Sequence, residues 1–122
     1  MGKKEIKEIR KRVEKFKKKI EKKFFVEKII IFGSAARGEM KEDSDIDLIV
    51  VSKKFGLKHF FNIVPKLYGE WSLEYPVDFL IYNKKEFEKL KKEVSIVSEA
   101  LREGIIIEWR KRQKFHASLK NL

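Results

Sequence analysis

The stretch IIIFGSAARGEMKEDSDIDLIVV, residues 29–51, decides both the fold and the candidate site. Its first apolar run stops at Gly33-Ser34, and a second run begins with two aspartates separated by one isoleucine. Residues 24–32 predict a strand that is buried on both faces, and residues 45–51 predict a second strand. Between them, Ser34 is predicted to be the N-cap of a short helical turn. A buried strand therefore leads into a turn that opens with glycine, and the next strand begins with carboxylates.

Apolar residues at helical and strand spacings continue through the rest of the chain. The predicted helices cover residues 3–23, residues 57–68 and the segment from Asn83 to Gly104. Pro65 should kink or restart the second of these helices. Two further strands are predicted over residues 75–82 and 105–109. Helices that alternate with strands indicate an α/β domain. We expect one domain over residues 1–122, with an N-terminal amphipathic helix (3–23), a catalytic core (24–108) and a basic tail (109–122).

The composition restricts the class of protein. The absence of cysteine excludes disulfides, Cys-ligated zinc and a thiol nucleophile. No apolar run is long enough for a membrane span or a signal peptide, so we expect a cytoplasmic protein without membrane contact. The net charge of +11 is concentrated in the first helix and the tail. Such a charge suits nucleotides, nucleic acid or an acidic protein as partners, although a solvated surface is the more common explanation of a positive excess.

Three aspartates are the candidate metal ligands. Successive strand side chains point to opposite faces, so Asp45 and Asp47 should share one face. Their mutual repulsion would be relieved by a divalent cation, and hard carboxylate oxygens suit Mg²⁺. Asp78 lies inside the apolar strand 75–82, where a carboxylate is costly to bury without a compensating charge. A cation shared by all three would supply that charge.

The Gly33-Ser34 turn is the candidate phosphate site. Glycine allows close approach of a phosphate to the backbone, and Arg37 adds a fork-shaped donor for phosphate oxygens. Each feature alone also fits an ordinary turn, a capping carboxylate, a buried salt bridge or a surface charge. Together, a phosphate cradle beside a carboxylate metal site favours phosphoryl or nucleotidyl transfer.

These residues resemble a known signature. The sequences Gly33-Ser34-Ala35-Ala36-Arg37-Gly38 and Ser44-Asp45-Ile46-Asp47-Leu48 are similar to the GSxARG…SDxDL motif of minimal nucleotidyltransferases (MNT) in the DNA polymerase β superfamily. Val77-Asp78-Phe79 resembles that family's third-carboxylate strand, and residues 101–107 resemble its Arg-Glu-Gly-Ile closing segment. The resemblance implies an α+β fold with a mixed sheet of about four strands and helices mainly on one side.

The resemblance also implies roles for individual residues. Mg²⁺, as two ions and with Mn²⁺ as a substitute, would bind Asp45, Asp47 and Asp78. ATP or another nucleoside triphosphate would be held by Gly33, Ser34, Arg37 and Ser44. The implied reaction is attack by an acceptor hydroxyl on the α-phosphorus, with Asp78 beside the nucleophile.

The partner implied by the resemblance is a small helical HEPN-domain protein, often a toxin, which the MNT protein adenylylates as its antitoxin. Two alternatives stay open at this point. One is a catalytically silent module that neutralises or scaffolds a partner by binding alone. The other is a nucleic-acid binder that uses the basic helix and tail, although no stacking platform of aromatic residues supports it. A homo-oligomer is also compatible with the apolar stripe of the first helix.

Other conspicuous residues have ordinary explanations. The histidines lack metal-ligand spacing and are predicted to be surface or helix residues, and Trp71 and Tyr75 are predicted to cover the core. The tail aromatics are possible partner contacts. These residues are His59, His116, Trp71, Tyr75, Trp109 and Phe115.

Overall fold

The computed structural model describes residues 3–41, 44–71 and 75–108, with the side chains of Lys3 and Lys4 left out. Its helices are α1 (Lys3–Ile20), α2 (Ser34–Arg37), α3 (Phe60–Glu70), which follows a 3-10 turn (Leu57–His59), α4 (Lys84–Leu90) and α5 (Ile96–Glu103). Its strands are β1 (Val26–Phe32), β2 (Ile46–Ser52), β3 (Val77–Asn83) and β4 (Ile105–Glu108). Within the described ranges, no helix is long and apolar enough to span a bilayer.

The four strands form one mixed sheet in the order β3-β2-β1-β4. β1 is antiparallel to both β2 and β4, whereas β2 and β3 are parallel. The crossover between the parallel strands contains the 3-10 turn and α3, as parallel pairing requires a long connection. The expected mixed sheet of about four strands is therefore confirmed. Because β2 and β3 run in the same direction, both begin at the same edge of the sheet.

The larger part of the core lies on one face of the sheet. α1 contributes Ile9, Val13, Phe16 and Ile20, a stripe with helical spacing, and α3 contributes Ile63, Val64 and Leu67. These side chains pack on alternate strand residues such as Leu48 and Phe79. The packing of the α1 stripe explains why so charged a helix is stable: its apolar side is buried, and most of its described lysines are exposed. Lys17 is the exception, because its side chain is buried and its Nζ pairs with Glu21 at 2.8 Å.

A smaller core covers the other face. Phe87 of α4 and both Val97 and Ala100 of α5 pack against strand residues, which include Ile30, Ile49, Val51 and Tyr82. The two cores therefore sandwich β1 and β2, whose central residues are almost completely buried. This accounts for the nearly continuous apolar sequence of both strands.

The predicted helix from Asn83 to Gly104 is wrong as a single element, because it is divided between α4 and α5. Asn83 does cap α4, and its side chain accepts a hydrogen bond from the Glu86 N–H at 2.8 Å. Ser95 then ends one segment and starts the next: its hydroxyl donates to the Leu90 carbonyl at 2.6 Å and accepts from the Ser98 N–H at 3.2 Å. A second N-cap thus interrupts the apolar periodicity.

The predicted restart of the helix at Pro65 is wrong, because α3 runs from Phe60 to Glu70 through the proline. The alternative, a kink, stays a prediction. The proline leaves the Phe61 carbonyl without its helical donor. Both residues are exposed, with Phe61 88% accessible, so water can satisfy that carbonyl. Other boundaries shift slightly: α1 ends at Ile20, and β1 starts at Val26. The predicted tail, with Trp109, Phe115 and His116, lies outside the described residues.

Candidate functional site

Two of the predicted aspartates are direct neighbours in the sheet. Asp47 of β2 pairs in register with Asp78 of β3, and Asp45 lies immediately before β2. By strand alternation, Asp47 and Asp78 point to the same face as Ile49 and Leu80, which the smaller core covers. The carboxylates occupy the beginning of that face, where the strands start.

Charge repulsion and partial burial perturb this pair. Burial is the first cause that raises the pKa of Asp47, followed by the negative charges of Asp78 and Asp45; Arg37 opposes the increase. Burial also raises the pKa of Asp78, and the neighbouring Asp45 carboxyl adds to the effect by its charge and by a hydrogen bond. Both carboxyl groups therefore hold their protons more strongly than isolated aspartates. An added positive charge would reverse that tendency.

The donor set at this position suits Mg²⁺, although the side chains are not in a coordinating arrangement. Across residues 3–41, 44–71 and 75–108, no three acidic, histidine or cysteine side chains are grouped closely enough to hold a metal ion. The candidates are nevertheless hard carboxylate oxygens whose mutual repulsion is only partly offset by Arg37, and this is the chemistry that favours Mg²⁺. Coordination by Asp45, Asp47 and Asp78 together therefore requires movement of their side chains.

The turn after β1 lies against the same carboxylates. Gly33 has φ 71°, and a Cβ at this position would collide with the Asp47 carboxylate oxygen. Only glycine tolerates both the left-handed backbone and this close approach. Gly33, rather than Ser34, is the N-cap of α2, and it makes no side-chain capping bond; Ser34 is the first helical residue. The prediction that Ser34 caps the turn is therefore wrong, although both residues lie at the predicted turn.

Arg37 ends α2 and is held by two glutamates. Its Nε donates to Glu39 Oε1 at 2.6 Å, and its Nη1 donates to Glu103 Oε2 at 3.1 Å. These hydrogen bonds raise the pKa of Arg37, so its guanidinium remains positively charged. The guanidinium also lies near enough to Asp47 to favour the ionised form of that carboxyl. Arg37 thus links the carboxylates with the end of α5.

Ser44 has a local role in the loop before β2. Its hydroxyl accepts a hydrogen bond from the Lys41 N–H at 2.8 Å, and its own N–H donates to the Lys41 carbonyl at 3.0 Å. Ser44 therefore closes a turn that precedes Asp45. Its predicted contact with nucleotide stays a prediction.

Tyr68 is a site residue that the sequence analysis missed. The phenol ring stands edge-on to Phe79, with centroids 5.0 Å apart, and its hydroxyl hydrogen-bonds to the Asp78 carboxyl, which lowers the pKa of Asp78. Burial and the Asp78 charge in turn raise the pKa of Tyr68. The sequence offered only its place in a helical apolar pattern, where a core role was the natural interpretation.

The ordinary explanations for Trp71, Tyr75 and His59 are confirmed. Trp71 packs edge-on against Phe16, with ring centroids 5.0 Å apart, and its Nε1 donates to the Tyr75 carbonyl at 2.9 Å. Both aromatic residues are partly buried against the larger core. His59 closes the 3-10 turn, where its Nδ1 accepts from the Gly56 N–H at 3.1 Å.

Comparisons with known proteins identify relatives of this chain. The family described as "Polymerase beta, Nucleotidyltransferase" matches residues 14–107. "Putative protein adenylyltransferase MJ1215" of Methanocaldococcus jannaschii is 54% identical over 46 residues, which cover 38% of this chain and 50% of that protein. "Protein adenylyltransferase MntA" of Thermococcus cleftensis is 53% identical over 34 residues, which cover 28% of this chain and 34% of that protein. The chain thus spans between a third and a half of the length of these two relatives.

A solved structure has the same fold. The crystal structure of a "putative nucleotidyltransferase" from Sulfolobus solfataricus superposes with a TM-score of 0.59 and 21% identity, covering 87% of this chain and 89% of that chain. At this identity the likeness concerns the arrangement of helices and strands. It agrees with the mixed α+β sheet described above.

Proposed function

The chain belongs to the polymerase β nucleotidyltransferase family, and on that premise we propose that it transfers AMP from ATP to a hydroxyl group of a partner protein, with Mg²⁺. One observation carries the proposal: Asp47 and Asp78 are register partners, with Asp45 close by, directly beside the glycine turn at Gly33. Nucleotidyl transfer needs carboxylates that bind a metal ion and an accessible backbone that binds phosphate, and the aspartates and the Gly33 turn supply these two parts.

The turn and Arg37 would bind the triphosphate. At Gly33 the absence of a side chain leaves the backbone accessible beside Asp47. Arg37 keeps its positive charge at any relevant pH and presents planar N–H donors suited to phosphate oxygens. Ser34, at the first position of α2, lies next to this turn. We assign the phosphates to this side and the acceptor to the Asp78 side.

Asp45, Asp47 and Asp78 would hold Mg²⁺, which supplies positive charge to the phosphate oxygens and favours the ionised acceptor. In the reaction, the acceptor oxygen forms a bond to the α-phosphorus while the bond from that phosphorus to the bridging oxygen breaks. Pyrophosphate leaves with the bonding electrons, and Asp78 accepts the acceptor's proton.

A protein is the proposed acceptor because the two curated relatives above are named as protein adenylyltransferases. Further support comes from the resemblance to MNT antitoxins, which implies a small helical HEPN-domain toxin as the protein that is modified. We adopt this as the partner to be tested first. Neutralisation by binding alone is the competing outcome of the same experiment.

The test is transfer of label from α-labelled ATP with Mg²⁺, in a lysate and with a purified HEPN-domain protein. The double variant Asp45→Asn, Asp47→Asn is compared with wild type. Glu99→Gln serves as the control because Glu99 is an exposed acidic residue of α5 that pairs with Arg102. We expect a labelled protein band with wild type and the control, and none with the double variant. Equal partner capture by all three proteins without any label would contradict the proposal and favour a binding-only role.

A further inference from the structure

Arg37 and its two acidic partners form an ion-pair cluster at the edge of the proposed site. Glu39 is two positions from Arg37 in sequence, whereas Glu103 is 66 positions away and belongs to α5. We propose that Glu103 is a positioning residue: together with Glu39 it holds the Arg37 guanidinium in the one orientation that receives the triphosphate. This inference rests on the proposed function.

The hydrogen bonds leave Arg37 able to bind a second anion. A guanidinium has five N–H donors, in a planar and fixed arrangement. Glu39 takes the Nε donor, and Glu103 takes one donor of Nη1. The other Nη1 donor and both donors of Nη2 therefore stay available for phosphate oxygens. The two glutamates can thus orient Arg37 while a phosphate is bound, and do not have to be displaced.

Glu103 is itself fixed by the packing of the next residue. A Cβ on Gly104 would lie 2.8 Å from the Ile31 carbonyl oxygen and 2.8 Å from Ile30 Cγ2, so the backbone after α5 is pressed against β1. The Gly104 N–H also donates to the Ala100 carbonyl at 2.6 Å. α2 follows β1 directly after Gly33. Glu103 and Arg37 are therefore anchored to the same strand end, which sets their separation.

Helix preference does not explain a glutamate at this position. Glu103 is the last residue of α5, where the partial negative charge of the helix end disfavours a carboxylate. Arg37 occupies the last position of α2, where a cation is favourable, but the pairing with Glu103 reaches across the fold. The observed contact with Arg37 gives the carboxylate at the end of α5 a physical reason.

The pair is too exposed to contribute much to stability. The side chains of Arg37 and Glu103 are 44% and 47% accessible, and exposed ion pairs typically contribute little. Its effect should therefore be visible in ligand binding and not in unfolding. This difference separates a positioning role from a structural one.

The experiment uses Glu103→Ala and Glu103→Gln, with Glu99→Ala as the matched control on the same helix, where Glu99 contacts Arg102 at 3.9 Å. Calorimetry measures the affinity for α,β-methylene-ATP with Mg²⁺, and the series is repeated in an Arg37→Ala background. NMR of the Arg37 side chain measures rotation about its Nε–Cζ bond, which exchanges Nη1 with Nη2, without any nucleotide.

We expect Glu103→Ala to weaken nucleotide binding about two- to fivefold and to accelerate that rotation, with a smaller effect of Glu103→Gln. Neither variant should matter once Arg37 is removed, and Glu99→Ala should change neither readout. Unchanged or tighter binding by Glu103→Ala, or an unchanged rotation rate, would overturn the inference alone. Failure of wild type to bind the analogue would overturn the proposed function and the nucleotide role of Glu103 with it, even if the rotation still responds to Glu103.

Discussion

The two ends of the β2–β3 pair use the same geometry for opposite purposes. Towards the C-terminal end of the strands, Ile49 and Val51 pair with Leu80 and Tyr82 beneath α4 and α5, and Ile49 is 0% accessible. Two residues earlier on the same face, Asp47 pairs with Asp78. Burial raises the pKa of both carboxyl groups; the negative charges of Asp78 and Asp45 add to the increase at Asp47, and that of Asp45 adds to it at Asp78. One register therefore builds a stabilising core and a destabilising charge cluster. The comparison indicates that the carboxylates do not contribute to folding, which agrees with the cation site that we propose for them.

The largest expected effect is at the apolar end. Ile49→Ala removes a fully buried side chain from the smaller core, and we expect a loss of about 2–5 kcal/mol in the free energy of unfolding. Denaturant unfolding monitored by circular dichroism measures it. Ile106→Ala on the edge strand β4 is the control. Because Ile106 is exposed, this variant should lose much less of the free energy of unfolding. Equal losses would mean that the smaller core is not packed as described.

The turn beside the carboxylates should be the next most sensitive position. Gly33→Ala places a methyl group on a left-handed backbone and against the Asp47 carboxylate, so we expect a loss of about 1–3 kcal/mol. Gly69→Ala in α3 is the matched control: no atom lies within 4 Å of its added Cβ, and a helical alanine should stabilise slightly. A neutral Gly33→Ala would contradict the close approach of the turn to Asp47.

At the charged end of the β2–β3 pair, a substitution should raise the free energy of unfolding and not lower it. The pKa of Asp47 is higher in the folded state than in the unfolded state. At a pH between these two pKa values, the folded state therefore binds more protons than the unfolded state. The free energy of unfolding consequently falls as the pH rises through this range. Asp47→Asn should therefore stabilise the metal-free protein at pH 7 by up to about 1 kcal/mol, since Asp47 is partly exposed to solvent screening.

Thermal unfolding between pH 3 and 8 measures this, and the gain from Asp47→Asn should shrink in acid as the Asp47 carboxyl is protonated. Glu99→Gln, at an exposed position of α5 that pairs with Arg102, should give no such gain at either end of the range. A destabilised Asp47→Asn at pH 7 would contradict the idea that the cluster costs stability.

The smallest effect is expected at Tyr68. Tyr68→Phe keeps the ring against Phe79 but removes the hydroxyl that lowers the pKa of Asp78, so stability should change by less than about 0.5 kcal/mol. An NMR titration of the Asp78 carboxyl carbon should show a higher pKa in the variant. Tyr82→Phe, near Glu86 at the other end of β3, should leave it unchanged. A lower Asp78 pKa in Tyr68→Phe would exclude the hydrogen bond.

The sequence predicted the features that depend on neighbouring residues. Strand alternation predicted the face of β2 on which Asp47 lies, and the break at Gly33 located the turn. Family membership and the mixed sheet, expected from the signature, are confirmed. Ser34 was misplaced as a cap because a glycine in a left-handed conformation took that position.

What the sequence could not provide were contacts between distant segments. Glu103 reaches Arg37 across 66 positions, and Tyr68 reaches Asp78 around the edge strand, without any periodic pattern that links them. The division between α4 and α5 depended on the Ser95 hydroxyl, whose two hydrogen bonds compete with continued helix. Such choices are made by side-chain geometry in the folded chain.

The carboxylate cluster should lower the stability of the folded protein until a cation binds to it. The most direct measurement is the unfolding midpoint of wild type and Asp47→Asn at pH 7, with and without Mg²⁺ and α,β-methylene-ATP. We expect a crossover: the variant is the more stable protein alone, and wild type gains more stability than the variant when Mg²⁺ and the analogue are added. Equal gains by both proteins, or no gain by wild type, would contradict it.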